Sequence, residues 1–323
     1  MKPALTCLLI ILLTGLLNGC DTVLTMDVST PMATQDSPVA EPSFTATPRP
    51  LATVDTAQCV EQTCILDGHF LLQNPIPADA NQVVDGTYRF GSTQEGLRDI
   101  HHGVEFGNPT GTPVLAAADG EVVHAGDDAL VILGVTQNFY GNVVVIEHHL
   151  AGIGQTVFTL YAHLSEVSVA TGDSVTTGQK IGLVGASGAA VGSHLHFEVR
   201  LGENTYQAAV NPELWLTTTS ETGGINDGAL AGIILDNQGE PQRLTNIRLE
   251  YSPVENGAVE KYYALPTYYD TSVSTDPEFH ENFAISSLTP GWYRFVTIAN
   301  GTYVSKWVPV EPGKLTFLTI PFQ

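Results

Sequence analysis

From about Thr87 to Leu216 the chain is a succession of short stretches in which apolar and polar residues alternate, each cut off by a glycine turn. Val122-Val123-His124, Val143-Val144-Val145-Ile146, Val157-Phe158-Thr159-Leu160-Tyr161 and Leu195-His196-Phe197-Glu198-Val199-Arg200 are examples. Successive side chains of a strand point to opposite faces, so a period of two suits a half-buried strand and not a helix. The expectation is an antiparallel β-sheet domain over 88–216. Composition agrees: 14% of residues are charged, while 31 Gly and 19 Pro supply turns, a balance foreign to coiled coils and long helices. Residues 229–323 alternate again, with turns at Asn237-Gln238-Gly239, Glu255-Asn256-Gly257, Pro290-Gly291, Asn300-Gly301 and Pro312-Gly313. That rhythm predicts a small β-sandwich, so the whole is expected to be mainly β.

Twelve basic against 34 acidic residues give a formal charge of −22. Nucleic-acid binders neutralise phosphates with clustered Lys and Arg, which excludes that class of partner here. A hydrophobic content of 43% excludes a wholly disordered chain. Met1-Lys2 precedes an apolar run to Leu17 that is short for a membrane span and suits a signal-peptide core. It closes on Leu17-Asn18-Gly19-Cys20, which resembles a bacterial lipobox with Asn18 as a less usual occupant. The resemblance implies a signal over 1–20, lipid on Cys20, and a chain exported and anchored to the outer face of the cell membrane or held in the cell envelope. Residues 21–57 are rich in Thr, Ser and Pro and read as a solvated tether. Residues 58–87 form a lead-in that holds Cys59 and Cys64, a candidate disulfide in an exported protein. Residues 217–228 read as a linker between the two β regions.

Eight of the ten histidines lie between His101 and His196. In His194-Leu195-His196-Phe197-Glu198-Val199-Arg200, strand alternation sets His194, His196, Glu198 and Arg200 on one face. Leu195, Phe197 and Val199 take the other, which can face a core. Read as a strand, Ile100–Phe106 puts His101, Gly103 and Glu105 together and leaves His102 for packing. Two imidazoles, one carboxylate and an open position make a recognised catalytic zinc site. His124, His148, His149, His69 and His280 are assigned structural roles, and Tyr161 a core place or a groove contact. No His-Glu-x-x-His sequence occurs.

Five blocks follow one another: His101-x-Gly103-x-Glu105, Gly111-Thr112-Pro113-Val114 through Val122, Tyr161-Ala162-His163-Leu164-Ser165, Gly172-Asp173 through Gly182, and His194-Leu195-His196-Phe197-Glu198. In that order they resemble the lysostaphin-type zinc endopeptidases, which cut peptide cross-bridges of bacterial peptidoglycan. The resemblance implies one zinc ion held by His101, Glu105 and His196, with His194 and His163 as catalytic residues. One of these would act as general base and the other would hold the water or the developing oxyanion. Glu105 departs from the family, which has Asp there. The departure sustains a second reading, a catalytically weak or inactive scaffold that binds the wall or activates another hydrolase. The block 172–182 also resembles the hairpin of lipoyl and biotinyl carriers, but no Lys lies between Phe106 and Gln179 to be modified. The small residues of 185–193 and the loop 127–140 are expected to wall a groove. The C-terminal region resembles transthyretin-like or Ig-like accessory modules through one hairpin.

Overall fold

The computed structural model describes residues 59–217, 227–243, 245–268, 272–299 and 301–321. The expected signal with Cys20, the tether 21–57 and most of the expected linker 217–228 lie outside the described residues. Among the described residues no helix is long and apolar enough to cross a membrane. The fold is almost entirely β, as alternation predicts, and among the described residues the helical content is two short 3₁₀ turns, Tyr206–Ala208 and Pro212–Leu214.

A seven-stranded antiparallel sheet carries the histidines. Its order is Ala209–Val210, Leu195–Leu201, Val157–Leu164, Asn142–His148, Gly120–Asp127, Ser174–Val175, with Val104–Phe106 also paired to Leu195–Leu201. Leu195, Phe197 and Val199 enter the main core with Tyr161, Val144 and Ile146. The alternate residues Val143, Val145, Leu160 and Ala162 build a smaller cluster on the opposite face. The strand Leu195–Leu201 is therefore buried on both faces, and its polar row is enclosed rather than solvated.

The C-terminal region is a sandwich. A four-stranded sheet (Lys261–Pro266, Asn246–Ser252, Gly291–Ala299, Thr302–Val310) packs on a five-stranded one. The latter holds Cys59–Val60, Thr63–Leu66, Leu315–Ile320, Gly228–Ile234 and Phe283–Leu288. The lead-in is thus corrected: residues 59–66 belong to the sandwich, pairing Leu66 with Leu315 and Cys64 with Phe317. Strands of two and four residues are too short to show a period, so the sequence pattern hides them. Cys59 and Cys64 face each other across this hairpin and are disulfide-bonded.

The five-stranded sheet also has two buried faces. Leu230, Phe283 and Ile285 point into the sandwich core, while Ala229, Ala231, Ala284 and Phe317 join the core beneath the histidine-bearing sheet. Arg89 reaches Glu213 at 2.6 Å, and Glu213 accepts from the Ser286 backbone at 2.8 Å. His69 stacks on Trp215 at 4.2 Å, and both donate to Asp276. Packing therefore joins what residues 218–226 separate in sequence.

Candidate active site

Register brings the first two site residues together. In the pairing of Val104–Phe106 with Leu195–Leu201, Glu105 lies directly opposite His196, so both side chains emerge on one face. His101 arrives differently from the expected strand. It precedes Val104–Phe106 in an extended approach, held by its own N–H to the Ser92 carbonyl at 3.0 Å and by its carbonyl from Gly91 N–H at 2.8 Å. The chain bends at Gly103, where a Cβ would lie 2.5 Å from the Phe197 carbonyl and 2.9 Å from the His196 ring. Only glycine lets the backbone pass that close. Tyr88 covers the outer side of His101, its ring stacked at 4.0 Å and 11°.

His101 Nε2 lies 3.1 Å from His196 Nδ1 and 3.7 Å from Glu105 Oε1, and the three candidate ligand atoms all fall within 4.8 Å of one another. Ligands about 2.0–2.1 Å from a tetrahedral zinc would stand roughly 3.3–3.4 Å apart, so the observed edges fit with small adjustment. The tautomer of His196 fits too. Its Nε2 lies 3.0 Å from Glu198 Oε1, and a carboxylate only accepts, so Nε2 carries the proton and Nδ1 is left as a lone pair facing His101.

Glu198 is the site residue whose role the sequence pattern does not disclose. Its carboxyl is buried, which opposes ionisation, yet Arg200, His196 and Tyr140 outweigh that cost and hold it well below the usual carboxylate range. Arg200 Nε donates at 2.8 Å and the Tyr140 hydroxyl donates to Oε1. Arg200 also donates to the Leu133 carbonyl and to Asn204, both at 2.9 Å, which fastens the 127–140 loop to the site. The signal for Glu198 was its place two residues after His196 on the same face. Tyr140, 58 residues away, left none.

His163 reaches the site through a bulge. Val144 pairs with Tyr161 and Asn142 with Leu164, so one residue of the neighbouring strand opposes two, Ala162 and His163. His163 has φ +61°, which breaks alternation. Tyr161 and Leu164 both enter the main core, and the ring between them turns away from that core into the cleft. Its Nδ1 donates to the Ser187 carbonyl at 2.8 Å, leaving Nε2 unprotonated in the neutral ring. Burial, with His196 and His194 adding to it, pushes the imidazole down to about 3. His194 is held likewise, Nδ1 to the Gly192 carbonyl at 3.1 Å, and its buried Nε2 has no hydrogen-bond partner and lies 3.6 Å from Glu105 Oε1. The two rings are 4.9 Å apart.

These groups line one cleft of about 430 Å³, with Tyr88 and Phe139 at its sides. The flanking loops touch: Ala189 N–H donates to the Phe139 carbonyl at 2.9 Å. His102 stacks on Tyr206 at 3.5 Å and donates Nδ1–H to its carbonyl at 2.9 Å. His148 is buried between the Asp119 carbonyl and Thr159, whose hydroxyl also meets Tyr161. Tyr161 is therefore a core residue.

Residues 99–212 match peptidase family M23. This part of the chain is an M23 peptidase domain. Over 101 residues it is 42% identical to the peptidoglycan DD-endopeptidase ShyA of Vibrio cholerae, covering 31% of this chain and 20% of that one. Over 102 residues it is 41% identical to the DD-carboxypeptidase/endopeptidase Mpg of Neisseria meningitidis, covering 32% and 20%. The chain thus spans about a fifth of the length of these relatives. Among solved structures, a zinc-containing peptidase from Vibrio cholerae is 29% identical with a TM-score of 0.34, over 43% of this chain and 38% of that one. All the histidines of the cleft, and Glu105 and Glu198, fall inside the M23 domain.

Proposed function

We propose that the chain is a zinc-dependent endopeptidase acting on the peptides of bacterial peptidoglycan. The observation that carries this reading is the convergence of His101, Glu105 and His196 beside two neutral imidazoles whose unprotonated Nε2 atoms line the same cleft. Relatives named for peptidoglycan endopeptidase activity support the substrate class. The lipobox-like Leu17–Cys20 supports export and anchoring to the outer face of the membrane, with lipid on Cys20.

His101 Nε2, His196 Nδ1 and a Glu105 oxygen would hold the zinc. When bound, zinc polarises a carbonyl and makes water acidic enough to attack near neutral pH. The rest is done by the side chains. The backbone bonds to Ser187 and Gly192 fix both catalytic rings so that each presents a lone pair on Nε2 to the cleft. Of the two, His194 has a carboxylate 3.6 Å from Nε2, which favours it as the ring that takes the proton from the attacking water and returns it to the leaving amine. His163 accepts a hydrogen bond from the same water and orients it.

The test is hydrolysis of cross-linked peptidoglycan by the full chain, read as newly released amino groups. Activity is expected to vanish with a chelator and to return with added zinc. Hydrolysis indifferent to the chelator, or retained by His194→Ala, would sink the mechanism.

Glu105 favours a second reading, the non-catalytic scaffold, because a longer carboxylate stands where the family has Asp. In this structure the extra methylene does not carry Glu105 out of reach of His101 and His196. Glu105→Asp is therefore expected to change kcat/KM by no more than about tenfold, since Glu and Asp are both ordinary zinc ligands. If Glu105→Asp creates hydrolysis where the native chain has none, the scaffold reading is the correct one.

A further inference from the structure

Arg98 is the one lysine or arginine among the described residues that line the catalytic cleft. The same walls carry the carboxylates of Asp85, Asp99 and Glu105, in a chain whose formal charge is already −22. Arg89, Arg200, Arg248 and Arg294 are each engaged by a glutamate. Arg98 is exposed and forms no ion pair with any of the described residues. What its side chain touches is a ring: the guanidinium carbon lies 4.9 Å from the centre of Tyr88. Tyr88 is itself fixed. Its hydroxyl donates to the Asp99 carbonyl at 2.7 Å, and its ring stacks on His101 at 4.0 Å. The turn that carries Arg98 is closed by the residue's own N–H, which donates to the Thr93 carbonyl at 3.0 Å. The ring face gives the cation an electrostatic seat but no acceptor oxygen, so the N–H fork is left for a ligand.

A peptide is neutral along its backbone, and its anions are carboxylates, at the C-terminus or on an acidic side group. Guanidinium and carboxylate match as two parallel donor–acceptor pairs, which fixes orientation as well as position. Apart from the metal position, an anion elsewhere along these walls would meet carboxylates of its own sign. The distances also set a register. The cation is 4.9 Å from Tyr88 and Tyr88 is 4.0 Å from His101. Those two steps keep the guanidinium within about three extended residues of the ligand cluster, at roughly 3.3–3.6 Å per residue. We infer that Arg98 is a substrate-binding residue that seats a free carboxylate of the peptide within about three residues of the scissile bond. The inference rests on the endopeptidase reading, which puts the scissile bond at His101, Glu105 and His196. It narrows the substrate class to peptides that carry a carboxylate at that spacing.

The test is calorimetric binding of synthetic cross-linked stem-peptide dimers to the chelator-treated full chain, so that affinity is read without turnover. One dimer carries all its carboxylates free. In the others the terminal carboxylate or a side-group carboxylate is amidated, one at a time. The native chain should bind the free acid about tenfold more tightly than one of the amides, the scale of a charge-assisted pair in a partly screened site. Which amide loses affinity tells the terminal source from the side-group source. Arg98→Gln should abolish the difference by weakening the acid alone, and Arg98→Lys should keep part of it, as a point charge without the fork. Equal affinity of the native chain for every form, no binding of the free acid, or a difference that survives in Arg98→Gln would overturn the inference. So would equal weakening of acid and amide in Arg98→Gln, which would make Arg98 a prop for Tyr88. The endopeptidase reading is judged separately, by hydrolysis after zinc is restored. Discrimination without hydrolysis defeats that reading alone, and hydrolysis without discrimination defeats this one alone.

Discussion

Replacing His163 by asparagine should lower kcat/KM on cross-linked peptide by about 10²–10⁴, the usual worth of correct proton handling, or about 3–5 kcal/mol. Zinc stoichiometry should stay at one per chain, because His163 belongs to no pair of the ligand cluster. The choice of substituent matters. The residue sits at φ +61° inside a bulge, where Asn is tolerated far better than Ala. Asparagine therefore keeps the bulge, with its N–H to the Tyr140 carbonyl at 3.0 Å, and removes only the imidazole. Alanine would mix a backbone penalty into the measurement. Steady-state kinetics with metal analysis on the same sample separates the effects. A rate within threefold of native, or loss of zinc in step with the rate, would show that His163 does not act on the reacting water.

How this residue comes to the site shows where sequence patterns stop being informative. Alternation is a sound guide wherever the ladder is regular: Glu105 and His196 are opposed in register, and Leu195, Phe197 and Val199 line the core behind them. At His163 the same rule sends the ring into the main core, because Tyr161 and His163 are two apart. The bulge reverses this, and nothing in Tyr-Ala-His-Leu-Ser announces a positive φ, so only the family resemblance marked that histidine. His101 is a second case. The rule grouped it with Glu105 correctly but for the wrong reason, since the strand begins only at Val104 and Gly103 provides the close passage. Contacts between distant segments left no period at all. Tyr140 on Glu198, Arg200 on the Leu133 carbonyl, and Thr63–Leu66 on Leu315–Ile320 depend on how separate stretches pack.

Glu198 ties the fold to the proposed metal site through one carboxylate, and its removal should show as two separable losses. Glu198→Leu leaves the Arg200 guanidinium fully buried without its counter-charge, which typically costs about 3–5 kcal/mol of folding stability. It also removes the acceptor that holds the proton on His196 Nε2, so zinc affinity should fall by about 10–100-fold. Adding Arg200→Met discriminates between these effects. An apolar pair of similar bulk often replaces a buried ion pair without loss, so the double variant should recover much of the stability. Zinc affinity should stay low, because the partner of His196 is still missing. Denaturant unfolding of the metal-free chain measures the first quantity and zinc titration the second. The pH sign follows from the carboxyl's depressed value: its contribution is complete above the ordinary Glu range and fades only as pH falls toward the folded-state value. Native and Glu198→Leu chains should therefore differ most at neutral pH and converge in strong acid. If Glu198→Leu binds zinc as tightly as the native chain, Glu198 serves the fold alone and His196 is held in place by its packing against Tyr140.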